Sequence, residues 1–480
     1  MTVLRHQHIE IPEDWARELK EDMSIEITST VLRNLQGHFT QNDWLGSANS
    51  YRIDCIHAIS QLRKDVRVFQ GSELPEYITA SAPLHCLDGW AYLSRALDAH
   101  LTGDAHTARH LAYYAELRAA MSILATYGVG IFLNRHFVVK DCDSVRDISL
   151  GRDGKGKPLA THAMTHVAYG VWATSDQAKA LLLESISAFG ASLGDWLQGS
   201  YNVMGDPSGA VSYKWWEALE LDVARMAKDH LSRNTSSYRP TFFHSSGSLD
   251  AGEAVTFLLE FWRSLEPSDH GTFDELDKFL VRRSLEWAFE HISEVIADDE
   301  SQDESTSETR NHDNSALASR IHQVVDVVLA DKGLLAQEAR EFFSKQSSSE
   351  YPSIIRRALG NADIMAPGQH LEMISRAALL LRLASAACLQ LFRRAGVSPI
   401  EASFWWLKLG ADHGLWDPAH PPESLTELWA DIETAIEDIQ EKRARDGSLR
   451  LTYFDAKRDY ASALVALKEC ELVGLWSLGL

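Results

Sequence analysis

The sequence has few cysteines and no long apolar run, and each shortage excludes a class of protein. Its five cysteines are scattered through 480 residues without a CxxC pair, so their spacing favours neither a disulfide framework nor a zinc knuckle. The most apolar segment, 377–392, is interrupted by Arg382 and falls short of the roughly 20 apolar residues that span a bilayer. This segment is predicted to be a buried helix, and no membrane partner is expected.

Positive charge is also scarce. The chain has 46 Lys and Arg residues against 68 Asp and Glu, a formal net charge of -22, and such a field repels nucleic acid unless basic residues gather on one face. A general nucleic-acid binder is therefore disfavoured. Residues 1–14 lack the apolar stretch of roughly 7 to 15 residues that a signal peptide contains, which favours a cytoplasmic location.

Strand-like alternation is nearly absent, which disfavours folds built on a parallel sheet. Helical signals recur instead along the whole chain. The clearest unit is a helix over 84–101 that ends at Gly103, followed by Asp104, which can cap a second helix running to Gly128. These signals predict an all-α, multi-helix bundle protein.

Two segments interrupt the helical pattern. Residues 129–159 form the longest predicted loop, Gly-rich near 140–160, with a short hairpin within 131–139. The segment 297–315 is acidic and almost without apolar side chains, so it cannot offset the entropy of ordering. We therefore predict two helical lobes, 1–296 and 316–480, joined by an acidic linker or exposed loop at 297–315.

Several familiar catalytic patterns are present only in part. The segment 151–157 matches GxxxxGK, but Pro158 replaces the Ser or Thr of a phosphate-binding loop. Ser192 lies in a GxSxG match, but the residues before it are predicted to be helical rather than a strand. The His and Glu residues within 286–294 have the spacing of a solvated helix face. No metal and no cofactor are predicted.

The segment Arg33-Asn34-Leu-Gln-Gly-His38 joins an arginine to a histidine five residues later. It resembles the RxxxxH motif of HEPN ribonucleases, helical-bundle proteins of bacterial toxin and antiphage systems. In such a motif the arginine steadies a phosphate and the histidine moves a proton without a metal. The resemblance implies a metal-independent endoribonuclease with Arg33, Asn34 and His38 as catalytic residues.

A second polar string, 233–240, reads RNTSSYRP and resembles a string found in large bacterial helical proteins. Arg233, Asn234, Tyr238 and Arg239 are candidate binding residues, because the arginines and the tyrosine could hold an RNA phosphate or a partner's carboxylate. The alternative is a structural turn within an irregular stretch, 233–248, in which Asn234 caps and the arginines pair with the acidic surface.

Tryptophans occur in two adjacent pairs, 215–216 and 405–406. Neighbouring residues on a helix point about 100° apart, so one ring of each pair is expected to lie nearer the surface. Trp216 and Trp405 are therefore candidate anchors for a partner. The alternative is that both rings of each pair are buried between helices.

No catalytic motif is complete, so the leading interpretation is an interaction or scaffold subunit of a multi-protein bacterial system, antiphage defence by resemblance. Its expected partners are other protein subunits or further copies of itself, with RNA as another possible partner. The alternative is the HEPN-type ribonuclease effector that uses Arg33 and His38. Whether the chain is an enzyme stays open at this level.

Overall fold

We describe the protein from a computed structural model. The structure describes residues 5–6, 9–39, 43–152, 157–204, 216, 219, 221, 223–238, 250–268, 271–300, 313–344, 351–360, 368–446 and 452–479. The helices are α1 (Glu13–Asp22), α2 (Ile25–Phe39), α3 (Ser50–Ser60), α4 (Glu73–Leu101), α5 (Ala105–Thr126), α6 (Thr161–Ala173), α7 (Asp176–Ser185), α8 (Leu193–Met204), α9 (Val223–Tyr238), α10 (Ala251–Ser264), α11 (Asp274–Glu300), α12 (Asp313–Val328), α13 (Gly333–Ser344), α14 (Ser353–Ala358), α15 (Gln369–Ala395), α16 (Pro399–Phe404), α17 (Leu425–Asp446), α18 (Tyr453–Asp459), α19 (Ala461–Leu467) and α20 (Glu471–Gly479). A π-helical turn, Trp405–Gly410, follows α16.

The strands are short: β1 (Arg5–His6), β2 (Ile9–Glu10), β3 (Val68–Gln70), β4 (Val129–Ile131), β5 (His136–Asp141), β6 (Ser144–Asp147), β7 (Gly151–Arg152), β8 (Lys157–Pro158), β9 (Ser187–Ala188) and β10 (Ala191–Ser192). Helix accounts for 73% of the structure, so the mainly helical prediction is confirmed. The all-α prediction is incomplete, because it omits a four-stranded antiparallel sheet.

That sheet has the strand order β3-β6-β5-β4, and β4, β5 and β6 lie where the sequence predicts a long loop. Val138 of β5 stands opposite Val129 of β4 on one side and Arg146 of β6 on the other. Phe137 packs with Val31 of α2 and Ile78 of α4 in one apolar cluster. The predicted hairpin within 131–139 is therefore present, as the β4–β5 part of a larger sheet that covers α2 and α4.

The predicted α4–α5 hairpin is confirmed together with its cap. Gly103 has φ +76°, a left-handed conformation that glycine adopts without strain. The carboxylate of Asp104 then accepts a hydrogen bond of 3.0 Å from the backbone N–H of Thr107, which is an N-cap. This local chemistry turns the chain back on itself.

Helix α15 is the buried helix predicted around 377–392. Nearly all of its side chains are buried, and it ends at Gly396 with φ +75°. It is the one helix among the described residues that is long and apolar enough to cross a membrane, and 89% of its most apolar window is buried within the protein.

The chain divides into two compact units that do not coincide with the predicted lobes. The first comprises residues 1–175, 221–259 and 361–480, and the second comprises 176–220 and 260–360. The N- and C-terminal parts share the first unit because α15 packs against α4 and α5. The acidic segment 297–315 lies within the range of the second unit. Its ends belong to α11 and α12, and 301–312 lie outside the described residues.

Two local predictions are corrected. Residues 233–238 are not irregular but form the last turns of α9. The residues before Ser192 are not helical but belong to the β9–β10 hairpin. Ser192 nevertheless caps α8, since its hydroxyl and the carboxylate of Asp195 exchange hydrogen bonds with each other's backbone N–H groups. This serine is thus occupied by a structural interaction.

Candidate functional site

A network of buried charges links α5, α9 and α15 in the first unit. The guanidinium of Arg376 donates three hydrogen bonds of 2.7 to 2.9 Å to the two oxygens of Asp229. It also lies 3.7 Å from Glu116 and 3.9 Å from Glu372. Arg225 pairs with Glu372 at 3.0 Å. We call these five residues the ion network.

The network is almost free of solvent. Arg376 is 2% exposed and Asp229 is 1% exposed. Burial and the neighbouring Asp229 raise the pKa of Glu116 well above its ordinary value. Burial alone would lower the pKa of Arg376, but the carboxylates around it outweigh burial and raise it. Arg376 is therefore charged, and its charge is balanced by the carboxylates around it, although its Nη1 atom makes no hydrogen bond to the described residues.

A second set of polar residues continues from this network toward solvent along the contact between α5 and α9. We call it the polar seam. It consists of Arg109, His110, Tyr113 and Tyr114 of α5, His162 of α6, and His230, Arg233, Ser236 and Ser237 of α9. The spacing of four residues along each helix puts these side chains on one face.

Two arginines of the polar seam lack carboxylate partners. Arg109 is 3% exposed, yet its guanidinium makes one hydrogen bond, of 3.0 Å to the Ser236 hydroxyl. Arg233 donates to the Tyr114 hydroxyl at 2.6 Å and to the Asn234 amide oxygen at 2.9 Å. Within the described part of the chain neither forms an ion pair, and the Nε atom of each is buried without a hydrogen-bond partner.

The burial of Arg109 without a carboxylate contact among the described residues affects its pKa. Burial lowers that pKa, and Asp229, which lies beyond ion-pair distance, opposes the shift. Counting the polar seam and the ion network together, four arginines face three carboxylates, Glu116, Asp229 and Glu372. The neighbourhood thus carries surplus positive charge in a protein whose net charge is -22.

Three rings stack beside these arginines. The rings of His162 and His230 are parallel within 5°, with centroids 5.3 Å apart. Tyr113 stacks on His230 at 5.3 Å, and its hydroxyl lies 2.7 Å from Nδ1 of His162. Burial, and then the charge of Arg233, lower the pKa of His162. This imidazole is therefore neutral near pH 7 and can take up a proton if an anion binds nearby.

His110 repeats this pattern at the outer end of the seam. Its Nδ1 lies 3.0 Å from the Ser237 hydroxyl, and its ring is 5.1 Å from Tyr114. Burial and the charge of Arg233 lower its pKa as well. Guanidinium, hydroxyl and imidazole groups thus converge on one half-buried region. No group of three or more metal-ligating side chains occurs among the described residues.

The predicted catalytic residues of α2 lie elsewhere and have different neighbours. Arg33 donates hydrogen bonds of 3.2 and 3.0 Å to the backbone carbonyls of Ala395 and Arg394, at the end of α15. Asn34 interacts with Cys142. The ring of His38 lies against Gly46. Arg33 therefore caps a helix, and its guanidinium and the imidazole of His38 do not share a partner.

The polar string at 233–240 is only partly described. Arg233 and Asn234 belong to the polar seam or contact it, as the binding interpretation requires. Tyr238 ends α9, but its side chain lies outside what the structure describes, and so does Arg239. The predicted turn in which Asn234 acts as a cap is wrong, since Asn234 lies inside α9, where its amide contacts His230 at 3.4 Å.

The predicted tryptophan anchors are buried. Trp216 and Trp405 are both 0% exposed, and Trp406 is 5% exposed. Trp405 stacks on Phe392 and meets Trp44 edge-on. The expectation that one ring of the 405–406 pair lies nearer the surface is therefore wrong, because both rings fill the core of the first unit. Trp215 lies outside the described residues.

A groove lies next to Trp406, in the first unit. Its volume is about 1450 Å³, and its lining includes Phe392, Arg393, Leu407, Pro422 and Glu427. Leu407 is 50% exposed there. The groove is mixed in charge and open to solvent, unlike the polar seam.

Comparison with protein-family models, with curated proteins and with solved structures finds no match for this chain. The candidate site therefore depends on its own geometry. Sequence reasoning singled out Arg233 and Asn234 but missed Arg109, Tyr113, His162 and His230. A signal was present in α9, where Arg225, Asp229, Arg233 and Ser236 follow at helical spacing, but such a stripe usually indicates a solvated face.

Proposed function

We propose that this protein binds a phosphate-bearing anion on the polar seam. The observation that best supports this function is Arg109, a buried guanidinium that has no carboxylate partner among the described residues. An uncompensated buried charge costs several kcal/mol. A bound anion beside Arg109 and Arg233 would remove that cost.

The donor set favours phosphate over a carboxylate. A carboxylate has two oxygens, which a single guanidinium satisfies in a bidentate pair. The seam offers two guanidinium groups, together with the hydroxyls of Tyr114, Ser236 and Ser237. A phosphate group, with more oxygens and more charge, can use this larger set.

Calorimetric titration of the full chain with inorganic phosphate, at constant ionic strength, tests this function. Each charged hydrogen bond contributes about 1.5 to 3 kcal/mol, so Arg109→Gln is expected to weaken binding about tenfold or more. Arg17→Gln, at an exposed arginine paired with Asp14, is the matched control. Equal binding by wild type and Arg109→Gln would remove the proposal.

A second candidate function is association, which the groove beside Trp406 favours. Its exposed Leu407 and neighbouring prolines could receive an apolar segment of a second copy of the chain. Light scattering across protein concentrations, with wild type and Leu407→Glu, is the test. A dimer that the substitution dissociates supports homo-association, and a monomer at every concentration excludes it.

The scaffold role in antiphage defence and the ribonuclease alternative stay predictions that rest on resemblance. For the first, cells that express Arg109→Gln or Leu407→Glu are expected to lose protection in a plaque assay. For the second, His38→Ala should abolish RNA cleavage that persists in a chelator. Since Arg33 is held by the end of α15, we rank the ribonuclease alternative below anion binding.

A further inference from the structure

Two residues of the polar seam, Tyr114 and Arg233, form a stacked series with two residues of α4. The series spans three helices. The guanidinium of Arg95 lies 5.8 Å from the ring centre of Tyr92 on α4. The Tyr92 ring stacks on Tyr114 of α5 at 5.4 Å and 26°. The guanidinium of Arg233 lies 5.3 Å from the centre of Tyr114. We call these four residues the stacked series.

The two ends of the stacked series differ in exposure. Arg233 is half-buried, whereas Arg95 is exposed. Within the described residues Arg95 forms no ion pair. Its contact with Tyr92 is therefore its principal described interaction, and a cation over an exposed aromatic ring is only weakly held. A planar ligand could displace or share this guanidinium at little cost.

Stacked aromatic rings with a guanidinium group at each end form a surface on which nucleobases can stack. A phosphate held by Arg233 would lie beside Tyr114, whose ring also touches Tyr92. Building on the proposed function, we propose that the anion is a nucleotide, with its phosphate on Arg109 and Arg233 and its base against Tyr92. Arg95 then covers the outer face of the base, as it now covers Tyr92.

A free nucleotide and a single-stranded RNA could both supply such a ligand. The net charge of the protein favours the free nucleotide. The net charge of -22 repels a polyanion. A mononucleotide carries few negative charges and is small enough to interact mainly with the arginines of the polar seam. A free nucleotide is therefore the expected ligand.

The test compares the binding of adenosine 5′-monophosphate and ribose 5-phosphate to the full chain by calorimetry. These ligands share the phosphate and the sugar and differ in the base. Base stacking on an aromatic side chain contributes about 1 to 3 kcal/mol, so the nucleotide is expected to bind about 5- to 150-fold more tightly. Tyr92→Leu should remove this preference and leave the affinity for ribose 5-phosphate unchanged. Tyr453→Leu, at a half-buried tyrosine outside the stacked series, should change neither.

The possible results of these titrations distinguish the nucleotide proposal from the anion-binding proposal. Equal binding of both ligands would overturn the nucleotide proposal and leave anion binding intact, whereas binding of neither ligand and of no inorganic phosphate would overturn both. If Tyr92→Leu fails to fold, Arg95→Gln, at an exposed residue, replaces it, with an expected loss of at least twofold for the nucleotide alone. An eight-nucleotide RNA that binds more tightly than the mononucleotide would identify a strand as the source. Weaker binding of that RNA would identify the free nucleotide.

Discussion

Two buried arginines of the same unit have opposite surroundings. Arg376 contacts three carboxylates, one of which is Asp229. Arg109 lies beyond ion-pair distance from Asp229 and contacts no carboxylate among the described residues. Their exposures are nearly equal, at 2% and 3%. The two arginines are therefore equally buried and differ only in their carboxylate partners. A paired buried charge holds helices together, while an unpaired one at the edge of a half-open region is suited to a ligand.

The largest expected effect is at the paired arginine. Arg376→Met removes the cation that Asp229, Glu116 and Glu372 share and leaves buried carboxylates facing each other. We expect the free energy of unfolding to fall by about 3 to 5 kcal/mol, as measured by urea denaturation. Adding Asp229→Asn should recover part of the loss, since it removes one of the unpaired charges. A loss below 1 kcal/mol would show that the ion network does not hold the helices.

The next largest expected effect is a loss of stability at acid pH, caused by a buried histidine that is neutral at pH 7. His136 on β5 donates from Nε2 to the Leu159 carbonyl at 2.9 Å, and burial lowers its pKa to about 4. The unfolded chain, with an ordinary histidine pKa near 6.5, binds a proton first as the pH falls. Stability should thus be fully present above about pH 6.5 and decline toward pH 4, by about 2 kcal/mol between pH 7 and pH 5.

The control for this pH dependence is His136→Gln, which keeps a donor for the Leu159 carbonyl but does not titrate. Unfolding measured at pH 7 and pH 5 should show a smaller decline in this variant than in wild type. His57→Gln, at an exposed histidine, should keep the decline of wild type. An unchanged slope in His136→Gln would mean that other groups cause the acid sensitivity.

The unpaired arginine gives a smaller effect of opposite sign. Arg109→Met keeps much of the side-chain volume and removes the uncompensated charge, so the ligand-free protein should become about 1 kcal/mol more stable. The same substitution should weaken phosphate binding about tenfold or more, as expected for Arg109→Gln. Thermal unfolding with and without inorganic phosphate measures both. A marked loss of stability without phosphate would mean that Arg109 is a structural residue and that the contrast with Arg376 is false.

The smallest effect is at the arginine that resembles a catalytic residue. Arg33→Gln removes a cation from the C-terminal carbonyls of α15, an interaction of about 0.5 to 1 kcal/mol. Arg63→Gln, at an exposed arginine paired with Asp65, should cost less. Urea denaturation of both variants is the measurement. If Arg33→Gln instead keeps full stability and loses RNA cleavage, the ribonuclease alternative gains.

The parts of the fold that sequence predicts are those whose causes are local. Gly103 and Asp104 stand next to each other and define the α4–α5 turn by themselves. The sheet was underestimated because β4, β5 and β6 are three to six residues long and lie in a segment rich in glycine and aspartate. The sheet also needs β3, which pairs with β6 although Gln70 and its partner Ser144 are 74 positions apart in the chain.

The site was missed for a related reason. The polar residues of α9 are spaced like a solvated face, and nothing in α9 itself indicates burial. Asp229 pairs with Arg376 of α15, 147 positions away, and Arg233 contacts Tyr114 of α5, 119 positions away. Arg233 was identified from its polar string, but Arg109 is one of two arginines in an alanine-rich helix and belongs to no polar string. Pairing across such distances is a property of the packed structure and leaves no local pattern.

Helix α15 has a mechanical consequence. Its 27 residues form a rod about 40 Å long at 1.5 Å per residue. The ion network holds one end, and at the other end Phe392 and Arg393 line the groove while Arg33 grips the last carbonyls. A close-packed rod does not shorten. A displacement of α15 along its axis at Arg376 would therefore be accompanied by an equal displacement of Phe392 and Arg393 at the groove.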